Sequence, residues 1–105
     1  MYVLAVAILM TGFAWHPARA DDVRGYGEHL SGECVTCHRL KADYKGIPPI
    51  FGWDVETFVS VMNAYRKGVL TNKAMVSVAK SLDDEQILAL ATYFKTIKPP
   101  KKKKK

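Results

Sequence analysis

"GECVTCHRL", residues 32–40, contains both cysteines of the chain, Cys34 and Cys37, and His38 directly follows the second. A separation of three residues is close to one helical turn, so a turn of helix here brings the two thiols and the imidazole together. This spacing is compatible with a disulfide or redox thiol pair, with part of a metal site, or with covalent attachment of a prosthetic group. The rest of the sequence distinguishes these chemistries.

Covalent attachment of a c-type haem explains all three residues, whereas each alternative leaves one feature unexplained. A disulfide between Cys34 and Cys37 closes a very short loop, removes little entropy from the unfolded chain and gives His38 no role. A thioredoxin-like pair needs a βαβ context, and no segment alternates like a strand. A structural zinc site needs about four ligands, and only His16 and His29 remain. In Cys-x-x-Cys-His the thiols bond the two vinyl groups of haem and the histidine binds the iron. We therefore predict one covalent haem c.

Residues 1–20 are predicted to be a signal peptide, and the alternative is an N-terminal anchor or a buried helix. The apolar run at 2–15 is shorter than the ~18 residues that a membrane span requires. Ala18 and Ala20 then supply the small residues of a cleavage site. We predict a domain at 21–98, exported to the bacterial periplasm. A domain of this size has little core of its own, and a bound haem supplies the missing apolar interior.

The net charge of +6 reflects 16 Lys and Arg against 10 Asp and Glu, but the excess is concentrated at the C-terminal end. Lys101–Lys105 form a terminal run, and the domain itself is balanced. A neutral body lacks the basic face that nucleic-acid binding requires, so no nucleic-acid partner is expected. Residues 99–105 are predicted to be a solvated, disordered tail. The alternative is docking on an acidic partner or an anionic membrane, and membrane contact is expected only there.

Apolar periodicity predicts a small all-α fold of three to four helices wrapped around the haem. The first helix is predicted at about 22–33. The second is capped by Asp54 and ends at Gly68, and the last begins at Ser81 and ends before Pro99. Loops are predicted at 39–53 and 69–80.

An iron bound to His38 takes a sixth ligand or stays open to small molecules. A methionine thioether suits electron transfer because it favours the ferrous state. Met62 falls on the apolar stripe of the second helix, which is typical of a core residue. His29 lies one turn before the attachment site on the same helix. Met75 lies in the aperiodic segment between two helices, where a loop can bring it over the iron. The residues alone leave the choice among these candidates open.

Several large side chains are candidates for the haem pocket or for ordinary core packing. We assign Trp53 to the pocket, and Arg66 to a haem propionate on grounds of charge. The other aromatic candidates are Tyr44, Phe51 and Tyr65.

Four stretches, "GEHLSGECVTCH" (27–38), "GIPPIFGW" (46–53), "LTNKAM" (70–75) and "SLDDEQILALATYF" (81–94), together resemble the class I bacterial cytochromes c. This resemblance covers residues 26–97. It implies the small cytochrome c fold with a single haem, axial iron ligation by His38 and Met75, and an electron carrier rather than an enzyme.

The same resemblance implies two supporting contacts. A backbone carbonyl in the Pro48 region is expected to receive the Nδ1 proton of His38 and so to orient the ring. Gly27 is expected to let the first and last helices cross closely near Tyr93 and Phe94. The chain departs from residues common in the family at two positions, Arg39 and Lys73.

Within this class, "IPPIFGW" (47–53) and "FVSVMNAYRKGVLTNKAM" (58–75) are similar to the haem subunits of flavocytochrome c sulfide dehydrogenases. Those subunits accept electrons from a flavin in a partner chain. We expect a periplasmic electron carrier with redox-protein partners. One alternative is the haem subunit of a flavoprotein dehydrogenase that oxidises sulfide or another sulfur compound. An alternative of another class is a haem sensor or ligand-binding protein with an open sixth position.

Overall fold

Four α-helices make up the fold in the computed structural model, which describes residues 12, 14, 19–39 and 46–99. They are α1 (Ala20–Leu30), α2 (Val55–Arg66), α3 (Lys73–Lys80) and α4 (Asp84–Thr96), and a 3-10 turn at Ser31–Glu33 continues α1. These ranges contain no strand, so the predicted all-α class is confirmed. No helix within them has the length and apolar character to cross a membrane. Tyr44, residues 100–105 and most of the predicted signal peptide lie outside the described residues.

Helices α1 and α4 cross in close contact at Gly27. A Cβ atom added there would clash with the backbone carbonyl of Ala89 and would lie 2.8 Å from the Cβ of Tyr93. Only glycine therefore allows this approach, as the resemblance to the class I cytochromes c implies. Arg24, one turn earlier, places its guanidinium 5.5 Å from the centre of the Tyr93 ring and donates a hydrogen bond to Thr96. The two helices are thus in backbone contact at Gly27, and the contacts of Arg24 with Tyr93 and Thr96 stabilise the edge of the crossing.

Helix α2 begins and ends where the sequence predicts. The Asp54 carboxylate accepts the backbone N–H of Thr57 at 2.9 Å and the Thr57 hydroxyl at 2.6 Å. These hydrogen bonds stabilise the charged carboxylate and lower the pKa of Asp54. Because folding lowers this pKa, the contribution of the cap is present at neutral pH and is lost as acid protonates the carboxylate. Gly68, with a φ of 74°, follows the helix.

The predicted loop at 69–80 is wrong, because residues Lys73–Lys80 form helix α3. The side chain of Asn72 caps this helix by accepting the backbone N–H of Met75 at 3.1 Å. Ala79 is fully buried, and Met75 packs against the core. The helix has only two turns, too few for an apolar stripe to repeat recognisably.

The start of the last helix also differs from the prediction. Asp83 rather than Ser81 is the N-cap of α4, and it forms a capping box with Gln86. The Ser81 hydroxyl instead donates to the Val78 carbonyl at the end of α3. The predicted apolar stripe is confirmed. Its members Ile87, Leu90, Ala91 and Phe94 are buried and Ile97 packs against them.

The core is centred on Phe94, which is fully buried. Its ring centre lies 5.8 Å from that of Phe51 and 5.7 Å from that of Phe58, so the loop before α2 and α2 itself both pack on α4. Gly52 has a φ of 78°, which strains any residue with a Cβ, and its N–H donates to the Phe94 carbonyl at 2.9 Å. The loop at 46–53 is therefore fixed to the end of α4.

We predict that Gly27→Ala lowers the free energy of unfolding by about 1–3 kcal/mol, because the added methyl group overpacks the α1–α4 crossing. Gly25 is the matched control, since it lies on the same helix with no atom within 4 Å of an added Cβ. Gly25→Ala is expected to raise the free energy of unfolding by about 0.5–1 kcal/mol. Urea unfolding of the haem-loaded protein measures both. Equal effects of the two substitutions would contradict the close crossing.

Candidate haem-binding site

The segment Cys34–His38 forms a helical turn directly after the 3-10 turn. The carbonyl of Cys34 accepts the backbone N–H of Cys37 at 3.2 Å and that of His38 at 2.8 Å. The Thr36 hydroxyl donates to the Glu33 carbonyl at 2.8 Å, which links this turn to the end of the 3-10 turn. The predicted turn that gathers the two thiols and the imidazole is therefore present.

A cavity of about 410 Å³ lies between this turn, the loop at 46–53, and helices α2 and α3. Most of its wall is apolar. It brings together residues that are far apart in the sequence and that were predicted or considered for one site: Cys34, Cys37, His38, Pro48, Trp53, Tyr65 and Met75. Met62, which was expected to be a core residue, also lines the cavity. Such a space, with apolar walls and a few polar groups at its edge, is typical of cofactor sites.

The imidazole of His38 is oriented by the loop on the opposite side of the turn. Its Nδ1 lies 2.7 Å from the backbone carbonyl oxygen of Pro48. A carbonyl can only accept a hydrogen bond, so Nδ1 carries the proton and a neutral ring keeps the lone pair on Nε2. This is the contact expected for Pro48. It is also the arrangement that holds a metal-binding histidine in one tautomer and one orientation.

Two methionine thioethers are candidates for the other side of the cavity. Met75 lies in the first turn of α3 and is half-buried, whereas Met62 on α2 is buried in the core, and both line the cavity. His29 is exposed and does not line the cavity. The cavity wall therefore includes the predicted sixth ligand, and the choice of Met75 over Met62 stays a prediction.

The two thiols differ in their surroundings. Cys34 is half-buried against the core, whereas Cys37 is exposed, and they form no disulfide. Burial, together with the smaller effect of the neighbouring Glu33 carboxylate, raises the pKa of the Cys34 thiol to about 11. Cys34 is thus a neutral thiol around neutral pH in this environment, and both sulfur atoms are free for thioether bonds.

These residues fit a c-type haem. Two free thiols stand at the edge of an apolar cavity, one imidazole presents a lone pair, and thioethers line the same space. This donor set offers two thiols for covalent attachment, and one imidazole nitrogen and two thioether sulfurs that would be available to the iron.

Two other predicted pocket residues take different positions. Arg66 does not line the cavity; its guanidinium forms an ion pair with Asp84 and donates to the Asn63 side chain at 3.3 Å. Its pairing with a propionate stays a prediction that the cavity does not support. Phe51 is buried in the core beside Phe94 instead of lining the cavity.

Several residues of the cavity wall were missed by the sequence reasoning. They are Ile47, Val61, Asn72, Ala74 and Val78. Three of them belong to α3 or its cap, and they were missed together with that helix. The available signal was Asn72, a good N-cap residue, directly before a segment without glycine or proline.

No family model matches the chain. It is 30% identical over 80 residues to a thiosulfate dehydrogenase electron acceptor of Stutzerimonas stutzeri, covering 71% of this chain and 37% of that protein. It is 31% identical over 100 residues to a protein of the same description from Thiomonas intermedia, covering 92% of this chain and 44% of that protein. The chain therefore spans less than half the length of these two relatives.

A third relative matches over its whole length. The chain is 33% identical over 101 residues to cytochrome c-553 of Helicobacter pylori, which covers 93% of this chain and 100% of that protein.

We predict that haem stays bound to the unaltered protein after denaturation and acid–acetone extraction, because thioether bonds survive both. The double variant Cys34→Ser/Cys37→Ser is expected to release all of its haem, and each single variant to retain it through the remaining thioether. Gel staining for haem together with the mass of the intact chain measures the outcome. Release of haem from the unaltered protein would contradict covalent attachment.

Proposed function

Because the chain belongs to the small c-type cytochromes, we propose that it carries single electrons on one haem c bound through Cys34 and Cys37, with His38 and Met75 as axial iron ligands. The observation that supports this proposal best is the His38–Pro48 hydrogen bond, which leaves Nε2 as the free lone pair beside a cavity that Met75 also lines. When bound, haem supplies an iron that alternates between the ferric and ferrous states.

The residues of the chain tune this site in three ways. The Pro48 carbonyl keeps the Nδ1 proton on His38 and fixes the direction of Nε2. The soft thioether of Met75 favours ferrous iron and raises the reduction potential. The apolar wall, to which Ile50 and Leu90 contribute, excludes water and lowers the local dielectric. These three effects suit an electron carrier rather than a site that binds and converts a substrate.

We propose that the electron donor is a dehydrogenase that oxidises a sulfur compound. Two relatives are described as thiosulfate dehydrogenase electron acceptors, which supports thiosulfate as the first substrate to test. The similarity of residues 47–53 and 58–75 to flavocytochrome c sulfide dehydrogenase subunits supports a flavoprotein that oxidises sulfide as the second. Residues 1–20 act in this proposal as the export signal, 21–98 as the cytochrome domain in the periplasm, and 99–105 as a basic tail.

We predict that Met75→Leu opens the sixth position of the iron while preserving side-chain volume. The reduced variant is expected to bind carbon monoxide rapidly, whereas the unaltered protein binds it slowly or not at all. Met62→Leu is the matched control, because it removes the other thioether of the cavity wall. It is expected to leave carbon monoxide binding unchanged and to lower the free energy of unfolding by less than about 1.5 kcal/mol.

Optical spectra of the reduced proteins with and without carbon monoxide measure this difference. Rapid binding by the unaltered protein would reject Met75 ligation and favour the open-site haem sensor. Rapid carbon monoxide binding by Met62→Leu but not by Met75→Leu would indicate that Met62, on α2, is the iron ligand.

The donor is tested by mixing the oxidised cytochrome with a purified thiosulfate dehydrogenase and thiosulfate, and in parallel with a flavocytochrome c sulfide dehydrogenase and sulfide. We expect the thiosulfate system to reduce the haem faster at equal enzyme concentration. Each substrate without its enzyme is the control for direct chemical reduction. Reduction no faster than in these controls, in both systems, would reject a sulfur-compound dehydrogenase as the donor.

A further inference from the structure

Asn72 has two roles in the structure, because it belongs to the cavity wall and also caps helix α3. Its side chain lines the cavity, and its Oδ1 accepts the backbone N–H of Met75 at 3.1 Å. The backbone carbonyl of Asn72 also accepts the N–H of Val76 at 2.8 Å. Asn72 therefore accepts the backbone N–H groups of both Met75 and Val76 in the first turn of α3.

The start of α3 depends strongly on this cap. The helix has eight residues, and helices this short are marginal without packing or capping. Upstream, the N–H groups of Val69 and Leu70 are held by the Ala64 carbonyl, at 2.9 and 3.2 Å. Between that anchor and the helix lie only Thr71 and Asn72.

The position of Met75 within the first turn decides where its side chain points. Successive residues of an α-helix are rotated by about 100°, so a shift of the helix start by one residue turns Met75 away from the cavity. Fraying of the first turn has a similar effect, because it frees the backbone that carries the thioether. The Asn72 cap opposes both changes.

We propose that Asn72 is the positioning residue for Met75, and that its cap sets how firmly the thioether is held on the iron. This inference rests on the proposed ligation by Met75. Asn72 acts through the backbone of α3 and donates no electron pair to the metal.

The experiment uses oxidised, haem-loaded protein, in which added imidazole competes with Met75 for the iron. Asn72→Ala is expected to bind imidazole about five-fold more tightly than the unaltered protein, the factor that corresponds to the loss of one N-cap hydrogen bond. Asn72→Ser retains a capping oxygen and is expected to behave like the unaltered protein. Optical titration with imidazole gives the dissociation constants.

Asp54→Ala is the control for general loss of stability. Asp54 caps α2 through the N–H of Thr57 at 2.9 Å, the same kind of bond as that between Asn72 and Met75, and it does not line the cavity. This variant is expected to unfold more easily and to bind imidazole as the unaltered protein does.

Lys73→Pro provides a rescue that a role of Asn72 inside the cavity would not allow. Lys73 is the first helical residue of α3, where proline is well tolerated and pre-sets the helical φ. The backbone of Asn72, with φ −57° and ψ 117°, lies outside the α region that a following proline disfavours. Adding Lys73→Pro to Asn72→Ala is therefore expected to restore most of the resistance to imidazole.

Each other outcome overturns the inference. Unchanged imidazole affinity in Asn72→Ala, or an equal gain in Asp54→Ala, shows that the cap does not act on Met75. Failure of Lys73→Pro to restore the affinity shows that Asn72 acts through the cavity instead. Met75→Leu separates the two proposals. If it binds imidazole more tightly than the unaltered protein, Met75 is a ligand and only the role of Asn72 is in question; if it does not, the proposed ligation itself fails.

Discussion

The hydrogen bond between His38 Nδ1 and the Pro48 carbonyl is the contact on which the site depends. It joins the turn that carries both cysteines to the loop before α2. That loop is in turn fixed to α4 by the hydrogen bond from Gly52 to Phe94, and Phe94 packs on Phe58 of α2. The orientation of one imidazole is therefore determined by a continuous path through the core. A histidine on a mobile loop has no such constraint, and its iron bond would vary with the loop.

The sequence predicts those parts of the molecule that depend on local chemistry. The attachment turn follows from Cys34, Cys37 and His38, the start of α2 from Asp54, and the stripe of α4 from its apolar spacing. The role of Gly27 was implied by the resemblance to the class I cytochromes c, and it has a physical reason, because a close helix crossing needs a residue without a Cβ.

Other parts depend on tertiary packing and were predicted wrongly or not at all. Helix α3 is too short to show a period, and it is stabilised by burial of Ala79 and by the Asn72 cap. The choice between Ser81 and Asp83 as N-cap of α4 depends on where α3 ends, because the Ser81 hydroxyl is already bonded to Val78. Arg66 illustrates the same limit for the site: the fold places Asp84 beside it, a contact that the sequence did not predict, and its pairing with a propionate stays a prediction.

The cavity and the core share their walls. Ile50, Phe58, Met62 and Leu90 belong to the buried cluster and also line the cavity. In the proposed haem protein, binding of haem to the cavity therefore also covers these core side chains. A copy that never receives haem exposes these apolar side chains, and exposed apolar surface is what proteases and chaperones recognise. Under the proposed haem attachment, we therefore expect the lifetime of the polypeptide to depend on the supply of haem.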